Sequence, residues 1–310
     1  MKIAVFMGGS SAEREISLLS GKAVAEGLSR NHEVHLFDVE WSGNATLFPV
    51  VDEVKRDAYD IVFLALHGGL GENGGIQGVL EAAGIVYTGS GITASALAMN
   101  KDLSKTLFVR HGIPTAPWLT GTPKNFDSGC IEAEIGLPCV IKPVDQGSTI
   151  GLSVVRKSGD IPLAIETAGG FGDTIMVEKY ITGKELSVPI LAGHALPVIE
   201  IRPSHEIYDY ECKYTPGMTE YRVPAPIPEA LASETGSLAL RVFDILGLRD
   251  IARIDFRLDE HNRPLCFEAN TLPGMTATSL VPKSAERAGI DFHELVSTIA
   301  HCAYQRKRNP

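Results

Sequence analysis

The chain has 310 residues, with 28 Lys and Arg against 38 Asp and Glu and a net charge of −10. Apolar residues make up 44% and charged residues 21%, the balance of an ordinary globular protein long enough for two or three domains. The acidic surplus argues against nucleic acid or an anionic membrane as the main partner, although a small anion needs only a few local cations.

Residues 2–7 (KIAVFM) form a continuous apolar run, as expected for a strand buried on both faces. Gly8 and Gly9 follow, and then a helical pattern with Ile16, Leu19, Ala23, Val24 and Leu28 on one face, capped by Ser10 or Ser11. Further strands are predicted at 33–39 (EVHLFDV) and 60–66 (DIVFLAL). Alternating strand and helix imply a parallel sheet with crossover helices, so residues 1–95 read as a Rossmann-like α/β domain. The apolar run 61–66 is far short of the roughly 20 residues that span a bilayer, and the opening MKIAVFMGG breaks into glycines too early for a signal peptide. Cys130, Cys139, Cys212, Cys266 and Cys302 are scattered, never in CxxC spacing, and read as reduced thiols of a cytoplasmic protein.

From Lys101 the pattern changes. A helix over 101–111 runs into a Pro- and Gly-spaced stretch, Pro114–Pro123. Short strands are then predicted at 138–142, 151–156, 174–179, 185–192 and 197–201, a spacing that suggests an antiparallel α+β region. A helix returns at 229–246 with Leu231, Leu238, Val242 and Ile245 on its apolar face. It is followed by a hairpin pair, 251–258 (IARIDFRL) and 264–269 (PLCFEA), across the turn Asp259–Arg263. No internal repeat and no low-complexity tail interrupt this order.

The familiar nucleotide signatures fail. Gly69-Leu-Gly71-Glu-Asn-Gly74 matches GxGxxG, but it follows the third strand and lacks a ribose-binding acid about 20 positions on. His32-Glu-Val-His35 lacks HExxH spacing and alternates along what reads as an edge strand. There is no GxxxxGK[ST], and Gly89-Ser90-Gly91 is not a GxSxG elbow.

The chemistry concentrates near the C-terminus. Glu268 and Asn270 point to one face of a strand, and the turn at 259–263 folds Asp255 back beside them. Two carboxylates and an amide oxygen make a hard, all-oxygen site suited to Mg²⁺ or Mn²⁺ bridging phosphates. By itself the same pattern also describes a solvated acidic hairpin. Arg253, two residues before Asp255, adds a fixed positive charge on the same face, and the turn-rich segment Asn270–Thr276 offers backbone N–H groups to an anion. Lys101, Lys142 and Lys213 stand at the ends of elements. Lys142 precedes the Gly/Ser loop 144–151, which can close over phosphates or be a plain hairpin turn. Glu178, Lys179, Tyr180 and Ile181, followed by Glu185, sit at a strand end where backbone groups can meet an adenine edge and a carboxylate a ribose, a weak signal by itself.

In this order the segments resemble the ATP-grasp superfamily and, much more closely, the D-alanine–D-alanine ligases. The matches are GGSSAEREISLLSG (8–21), ALHGGLGENGGIQGVLE (65–81), YTGSGITASALAMNK (87–101), IKPVDQGSTIGLS (141–153), VEKYITGKE (177–185), YDYECKY (208–214) and ARIDF…FEANTLPGMTATSLVPK (252–283). They cover nearly the whole chain in family order. The resemblance implies an N-terminal Rossmann-like domain (1–100) followed by an ATP-grasp fold of two subdomains, a central nucleotide lid (101–185) and a C-terminal metal and catalytic part (186–310). It implies that Lys101, Lys142 and Lys213 contact the phosphates of ATP. Glu178, Lys179, Tyr180 and Ile181 would frame the adenine, with Glu185 on the ribose, and Asp255, Glu268 and Asn270 would hold two Mg²⁺ or Mn²⁺ ions. Glu13 would fix the amino group of the first D-alanine and connect through Ser148 and Tyr214 to the closing loop, with His67 nearby. Arg253 and the Gly274 amide would stabilise the oxyanion, and Ser279 with Leu280 would hold the second carboxylate. The family is usually a cytoplasmic homodimer.

The residue types fit that chemistry independently. Amide formation from a carboxylate is uphill in water, so activation by ATP to an acyl phosphate is required before the second amine attacks. Cations neutralise the transferring phosphoryl, and the 144–151 and 205–222 segments have reason to act as lids that exclude water. Three positions depart from the usual family pattern: Asn73 and Asn100 stand for Asp, and Thr149 for a second Ser. The resemblance further implies that Tyr214 favours D-alanine over D-lactate as second substrate, because ligases that make the ester usually depart from this Tyr. Another ATP-grasp ligase, a non-catalytic nucleotide-binding module and an NAD-dependent oxidoreductase are the alternatives; the presence of Arg253, Asp255 and Glu268 argues against the module, and the missing ribose acid against the oxidoreductase.

Overall fold

The computed structural model describes residues 1–42, 46–215 and 217–308, apart from the side chains of Tyr210 and Tyr214. The chain opens with β1 (Lys2–Gly8), α1 (Arg14–Leu28), β2 (Glu33–Val39), α2 (Leu47–Arg56), β3 (Ile61–Leu64), α3 (Gly75–Ala82) and α4 (Ile92–Met99). The three strands form a parallel sheet in the order β2-β1-β3, with Ile3 opposite both Val34 and Ile61. β1 is the middle strand and is buried on both faces, which is why its apolar run is unbroken. β2 is an edge strand, so the alternating His32-Glu-Val-His35 marks the sheet border, where the His35 ring meets the Tyr59 hydroxyl at 2.6 Å. β3 stops at Leu64, two residues before the end of its apolar run, and residues 65–67 continue as a loop.

Next come α5 (Lys101–Arg110), β4 (Trp118–Gly121), α6 (Ser128–Glu134), β5 (Cys139–Pro143), β6 (Ser153–Val155), α7 (Ile161–Gly169) and β7 (Ile175–Lys179). Their strands make an antiparallel sheet, β4-β7-β5-β6, covered by the two short helices α6 and α7 through Ile131, Ile161 and Ala164. These two helices span 7 and 9 residues, too short for a clear 3.6-residue period, and the sequence pattern alone gives only the strands. Asp127 caps α6 by accepting from the Cys130 N–H at 2.8 Å.

The last part holds β8 (Glu185–Leu191), β9 (His194–Ala195), β10 (Ile199–Pro203), α8 (Tyr210–Tyr214), β11 (Thr219–Arg222), α9 (Glu229–Ile245), β12 (Ile251–Leu258), β13 (Pro264–Asn270), α10 (Leu280–Arg287) and α11 (Phe292–Arg308). Its sheet runs β11-β10-β8-β12-β13, with β9 paired to β8. One face packs on α9, where Leu238 and Val242 meet Val188, Ile190 and Ile254. The other face is covered in part by α10 and α11, through Leu191, Ile199 and Ile201, and carries the site over the rest.

The helices do not all stay with their sequence neighbours. α4 and α5 join the core of the last sheet through Ala98 and Phe108. α11 returns to the first sheet, burying Leu295, Val296 and Ile299 against Ile3, Val5 and Ile61. Each such fully buried aliphatic side chain contributes about 1.5–3 kcal/mol, so α11 is part of the N-terminal core. Arg306 fastens it, pairing with the buried Asp250 and donating to the Tyr87 carbonyl at 2.8 Å. Asp250, held at φ +63, also accepts from the Gly89 N–H at 2.8 Å, so one carboxylate ties three parts of the chain together.

Candidate active site

The floor of the site is the β12–β13 hairpin. β12 turns Ala252, Ile254 and Phe256 into the core and Arg253, Asp255 and Arg257 toward the cleft. The ladder slips between Asp255 and Phe256: Phe256 pairs with Cys266, but Asp255 pairs with Glu268, which leaves Phe267 as the extra residue of a β-bulge. Cross-strand partners share a face, so this slip places Glu268 opposite Asp255 and Asn270 opposite Arg253. Asp255 is buried and fully engaged. It accepts from Ser187 Oγ at 2.6 Å, from Asn270 Nδ2 at 3.0 Å and from the Arg253 guanidinium at 2.8 Å. The guanidinium is held well above its ordinary range, because the adjacent Asp255 outweighs the cost of burial.

Four cations converge on Glu268. Lys101, on the first turn of α5, pairs with it at 3.1 Å and also donates to the Gln146 carbonyl at 2.7 Å, tying the 144–151 loop to the hairpin. Burial would raise the Glu268 carboxyl, but Lys101, Lys213, Lys142 and Arg253 together hold it down at about 2. Asn100 supplies the N-cap that starts α5, accepting from the Leu103 N–H at 3.0 Å. Asn73 accepts from the Gly75 N–H at 3.0 Å in the turn that leads into α3, so each departure from the usual Asp makes a local hydrogen bond and only Asn100 caps a helix.

A second network lies deeper. Glu178, near the end of β7, takes Lys142 on one oxygen and Lys105 on the other, the latter at 2.9 Å. Burial would raise this carboxyl, and the two lysines bring it to about 2 instead. Lys105 is completely buried, donates to Thr115 Oγ1 at 2.8 Å and lies over the Trp118 ring. Sequence reading missed it. The signal was its place one helical turn beyond Lys101 on the same face of α5.

Residues 180–184 join the central sheet to the last one. Tyr180 donates its N–H to the Pro138 carbonyl, and Arg257 holds the Ile181 carbonyl at 3.1 Å and the Glu185 carboxylate at 2.8 Å. Burial raises the Glu185 carboxyl, with Arg257 opposing. Gly183 is required here, because a Cβ would collide with the Leu258 carbonyl. Arg257 was also missed, although it continues the alternation of Arg253 and Asp255 on one face of β12.

These groups line a cleft of about 1000 Å³ between the central and C-terminal sheets, with Lys179 and Tyr180 on one wall and Phe267 and Lys213 on another. A second lobe of about 790 Å³ opens from it toward the N-terminal domain. Ser148, Lys213, Arg253 and Glu268 border both lobes. In the second lobe the loop after β1 brings Glu13 against the Ser148 hydroxyl. Ser148 and Thr149 adopt left-handed backbone angles, φ +50 and +64, a conformation costly for side-chain-bearing residues and held here by contacts outside the loop. Thr149 Oγ1 donates to the Tyr208 carbonyl at 3.2 Å.

His67, on the loop after β3, is buried beside Ser20 Oγ at 3.2 Å and the Glu72 carboxylate at 3.8 Å. Burial would lower its pKa, but Glu72 and then Glu13 outweigh this and leave it raised. Gly68 follows at φ +68, and a Cβ there would press on Ser11 and Glu13 at 3.1–3.2 Å. On the far wall Gly274 lies so close to Ser279 that a Cβ would come within 2.8 Å of its hydroxyl. Ser279 Oγ accepts from the Thr276 N–H at 3.0 Å, and Leu280 starts α10 with its side chain packed on Ile199 and Ile201. Asn270 lines this lobe as well. The Tyr214 side chain lies outside the described residues.

Three sheets, with a cation-lined cleft between two antiparallel ones, define a protein of the ATP-grasp class. The comparisons narrow this. The family model described as D-ala D-ala ligase C-terminus matches residues 107–301, and the one described as D-ala D-ala ligase N-terminus matches residues 43–90. The chain is 42% identical to the D-alanine–D-alanine ligase of Syntrophotalea carbinolica over 99% of its own length and 97% of that protein. It is 43% identical to that of Moorella thermoacetica, covering 98% of this chain and all of the relative. Among solved structures, the D-alanine–D-alanine ligase of Bacillus anthracis superposes with a TM-score of 0.87 at 32% identity, covering all of this chain and 99% of that one. The same enzyme complexed with ATP gives 0.85 at 31% identity, covering all of this chain and 98% of that one. The chain belongs to the D-alanine–D-alanine ligase family.

Proposed function

We propose that this chain joins two molecules of D-alanine at the expense of ATP, giving D-alanyl-D-alanine, ADP and phosphate for peptidoglycan precursor synthesis. The observation that carries this reading is Glu268. It stands where the two lobes meet and is kept ionised by four cations, an arrangement that suits a site where negative charge is handed from a nucleotide to a second substrate. Lys101, Lys142 and Lys213 serve the phosphates of ATP. The 178–181 segment frames the adenine and Glu185 the ribose. The first D-alanine enters the second lobe, its ammonium on Glu13 and its carboxylate toward Lys213 and Arg253, with His67 alongside.

A carboxylate oxygen of that D-alanine attacks the terminal phosphorus and ADP departs, leaving an acyl phosphate. The unprotonated amine of the second D-alanine then attacks the acyl carbon, and phosphate leaves as the amide forms. Arg253 and the Gly274 N–H face the oxyanion that develops, while Ser279 and Leu280 anchor the second carboxylate. The Glu13–Ser148 contact joins first-substrate binding to the glycine-rich cover, which keeps the acyl phosphate from water.

Asp255, Glu268 and the Asn270 amide oxygen form an oxygen-only donor set on neighbouring strand positions, which fits two Mg²⁺ or Mn²⁺ ions. When bound, such ions supply charge neutralisation for the transferring phosphoryl. We also propose a cytoplasmic homodimer, divided at 1–100, 101–185 and 186–310. Among the described residues no helix is long and apolar enough to cross a membrane.

The test is phosphate release from ATP and Mg²⁺ with D-alanine, with L-alanine, and with D-alanine plus D-lactate, the products identified by mass. D-alanyl-D-alanine from D-alanine alone supports the reading. Turnover only with another acid or amine keeps an ATP-grasp ligase and rejects the substrate.

A further inference from the structure

The catalytic carboxylates offer oxygen donors only. A chemically different donor set lies on the neighbouring cover, within residues 204–218. His205, Asp209 and Cys212 bring one ligand atom each to within 4.8 Å of one another, and no other group of three His, Cys, Asp or Glu side chains among the described residues does so. The arrangement is ordered by the start of α8. Asp209 Oδ1 accepts from the Cys212 N–H at 2.8 Å, and this N-cap turns Oδ2 toward His205 Nδ1, also at 2.8 Å. Cys212 is 1% exposed, and behind its sulfur lies Ser204 Oγ at 3.8 Å, itself 3.6 Å from Met218 Sδ. One imidazole nitrogen, one carboxylate oxygen and one thiol sulfur thus lie within 4.8 Å of one another, with a hydroxyl and a thioether close by.

We propose that His205, Asp209 and Cys212 bind a thiophilic divalent ion, Zn²⁺ or a metal of similar preference, and that this ion clips the cover over the cleft. Mixed nitrogen and sulfur donors select such ions over Mg²⁺, which takes oxygen. Ligand atoms around a tetrahedral zinc stand roughly 3.3–3.7 Å apart, so the widest pair needs to close by no more than about 1.5 Å, while His205 Nδ1 and Asp209 Oδ2, 2.8 Å apart, open slightly. The exposed His205 side chain can make that move, and the Cys212 thiol gives its proton to solvent on ligation. Ser204 Oγ or a water fills the fourth position.

The clip bears on the cleft because its ligands flank residues that line it. Tyr208 and Lys213 border both lobes. The Tyr208 carbonyl is held by Thr149, and Glu206 pairs with Arg156 of the central subdomain. An ion that fixes residues 205–212 therefore holds the two covers together and slows their parting for ATP entry and product release. The binding site stands apart from the proposed ligase activity, whereas its effect on turnover rests on that reading.

Cobalt titration of the full chain without nucleotide is the first experiment. One equivalent is expected to bind with a thiolate-to-cobalt charge-transfer band, which both His205→Ala and Cys212→Ser remove or weaken by at least about 100-fold in affinity. No thiolate band, or a band unchanged in both variants, overturns the site. The second experiment adds Zn²⁺ to the Mg²⁺-dependent reaction. Turnover of the unaltered chain should fall and recover with chelator, while both variants keep basal turnover and lose the sensitivity. Equal inhibition of the variants assigns the effect to the oxygen-lined cleft and overturns the clip. His205 is exposed, so its variant keeps the fold even if Cys212→Ser does not.

Discussion

The two lobes of the cleft are built on different principles. The lobe proposed for the nucleotide sets its charges on strands and a helix: Glu268 on β13, Arg253 and Arg257 on β12, Glu178 on β7 and Lys101 on α5, with Lys105 buried behind Glu178. Glu178 and Glu268 are held down at about 2 by the cations around them, whereas burial raises the Glu185 carboxyl. The lobe proposed for the first D-alanine hangs Glu13 and His67 on loops after β1 and β3, joined across the cleft by contacts such as Glu13 to Ser148. Its buried His67 is shifted upward by Glu72 and Glu13 against the cost of burial. One lobe carries its charges on regular elements, and the other carries on its loops a buried histidine whose pKa is raised. Rigid elements hold a polyanion with little reorganisation, while loops allow a small zwitterion to enter.

The largest effect expected from breaking the rigid lobe is with Glu268→Ala. Turnover at saturating Mg²⁺ should fall on the order of 10³-fold while thermal unfolding stays cooperative. Near-normal phosphate release would remove Glu268 from the site. Lys105→Met tests the deeper network, since it leaves Glu178 with one cation and Thr115 without its donor. A loss of roughly 1–3 kcal/mol in chemical denaturation is expected, together with a rise of about tenfold in KM for ATP. A changed melting point with an unchanged KM would make Lys105 purely structural.

In the loop lobe, Glu13→Gln should raise the KM for the first D-alanine about tenfold, with that for ATP within about twofold. The reverse pattern would place Glu13 elsewhere.

The pH dependence separates the lobes directly. The pKa of His67 is raised in the folded protein, so its contribution is full below the ordinary histidine value of 6.5 and is lost as pH rises through the higher folded value. The KM for the first D-alanine should therefore worsen on the alkaline side, and Glu72→Gln should move that limb to lower pH. An alkaline limb that ignores Glu72→Gln would exclude His67. Glu178 and Glu268 run the other way: their stabilisation is present above 4.5 and is lost as pH falls toward 2, an acid limb seen in unfolding. The smallest effect is expected for Tyr214→Phe, which should relax the preference for D-alanine over D-lactate as second substrate by a few-fold without changing ATP affinity. An unchanged product ratio would free Tyr214 from that role.

Most strands and the cleft residues borne by them were legible in the sequence, because continuous or alternating apolar runs report burial directly. Short helices such as α6 and α7 were not, since two turns give too few residues to show a period. The pairing of Lys105 with Glu178 joins residues 73 positions apart and leaves no local trace beyond a lysine on a helix. The return of α11 to the first sheet is equally invisible locally, because an apolar helix face does not say which sheet it will cover.

The hairpin marks the boundary between the two kinds of knowledge. The sequence by itself determined that β12 carries Arg253 and Asp255 on one face and that Glu268 and Asn270 share a face of β13, because side chains alternate along a strand. It did not determine that these two faces coincide. Counting back from the turn at 259–263 in an unbroken ladder sets Phe267 opposite Asp255 and turns Glu268 into the core beside Ile254. Only the slip at Phe267 brings both carboxylates to the cleft. The gain is physical: Cys266 and Ala269 remain in the core while Phe267 and Glu268 both face the cleft. Burying the ionised Glu268 would have carried a cost that no pairing on the core side could offset.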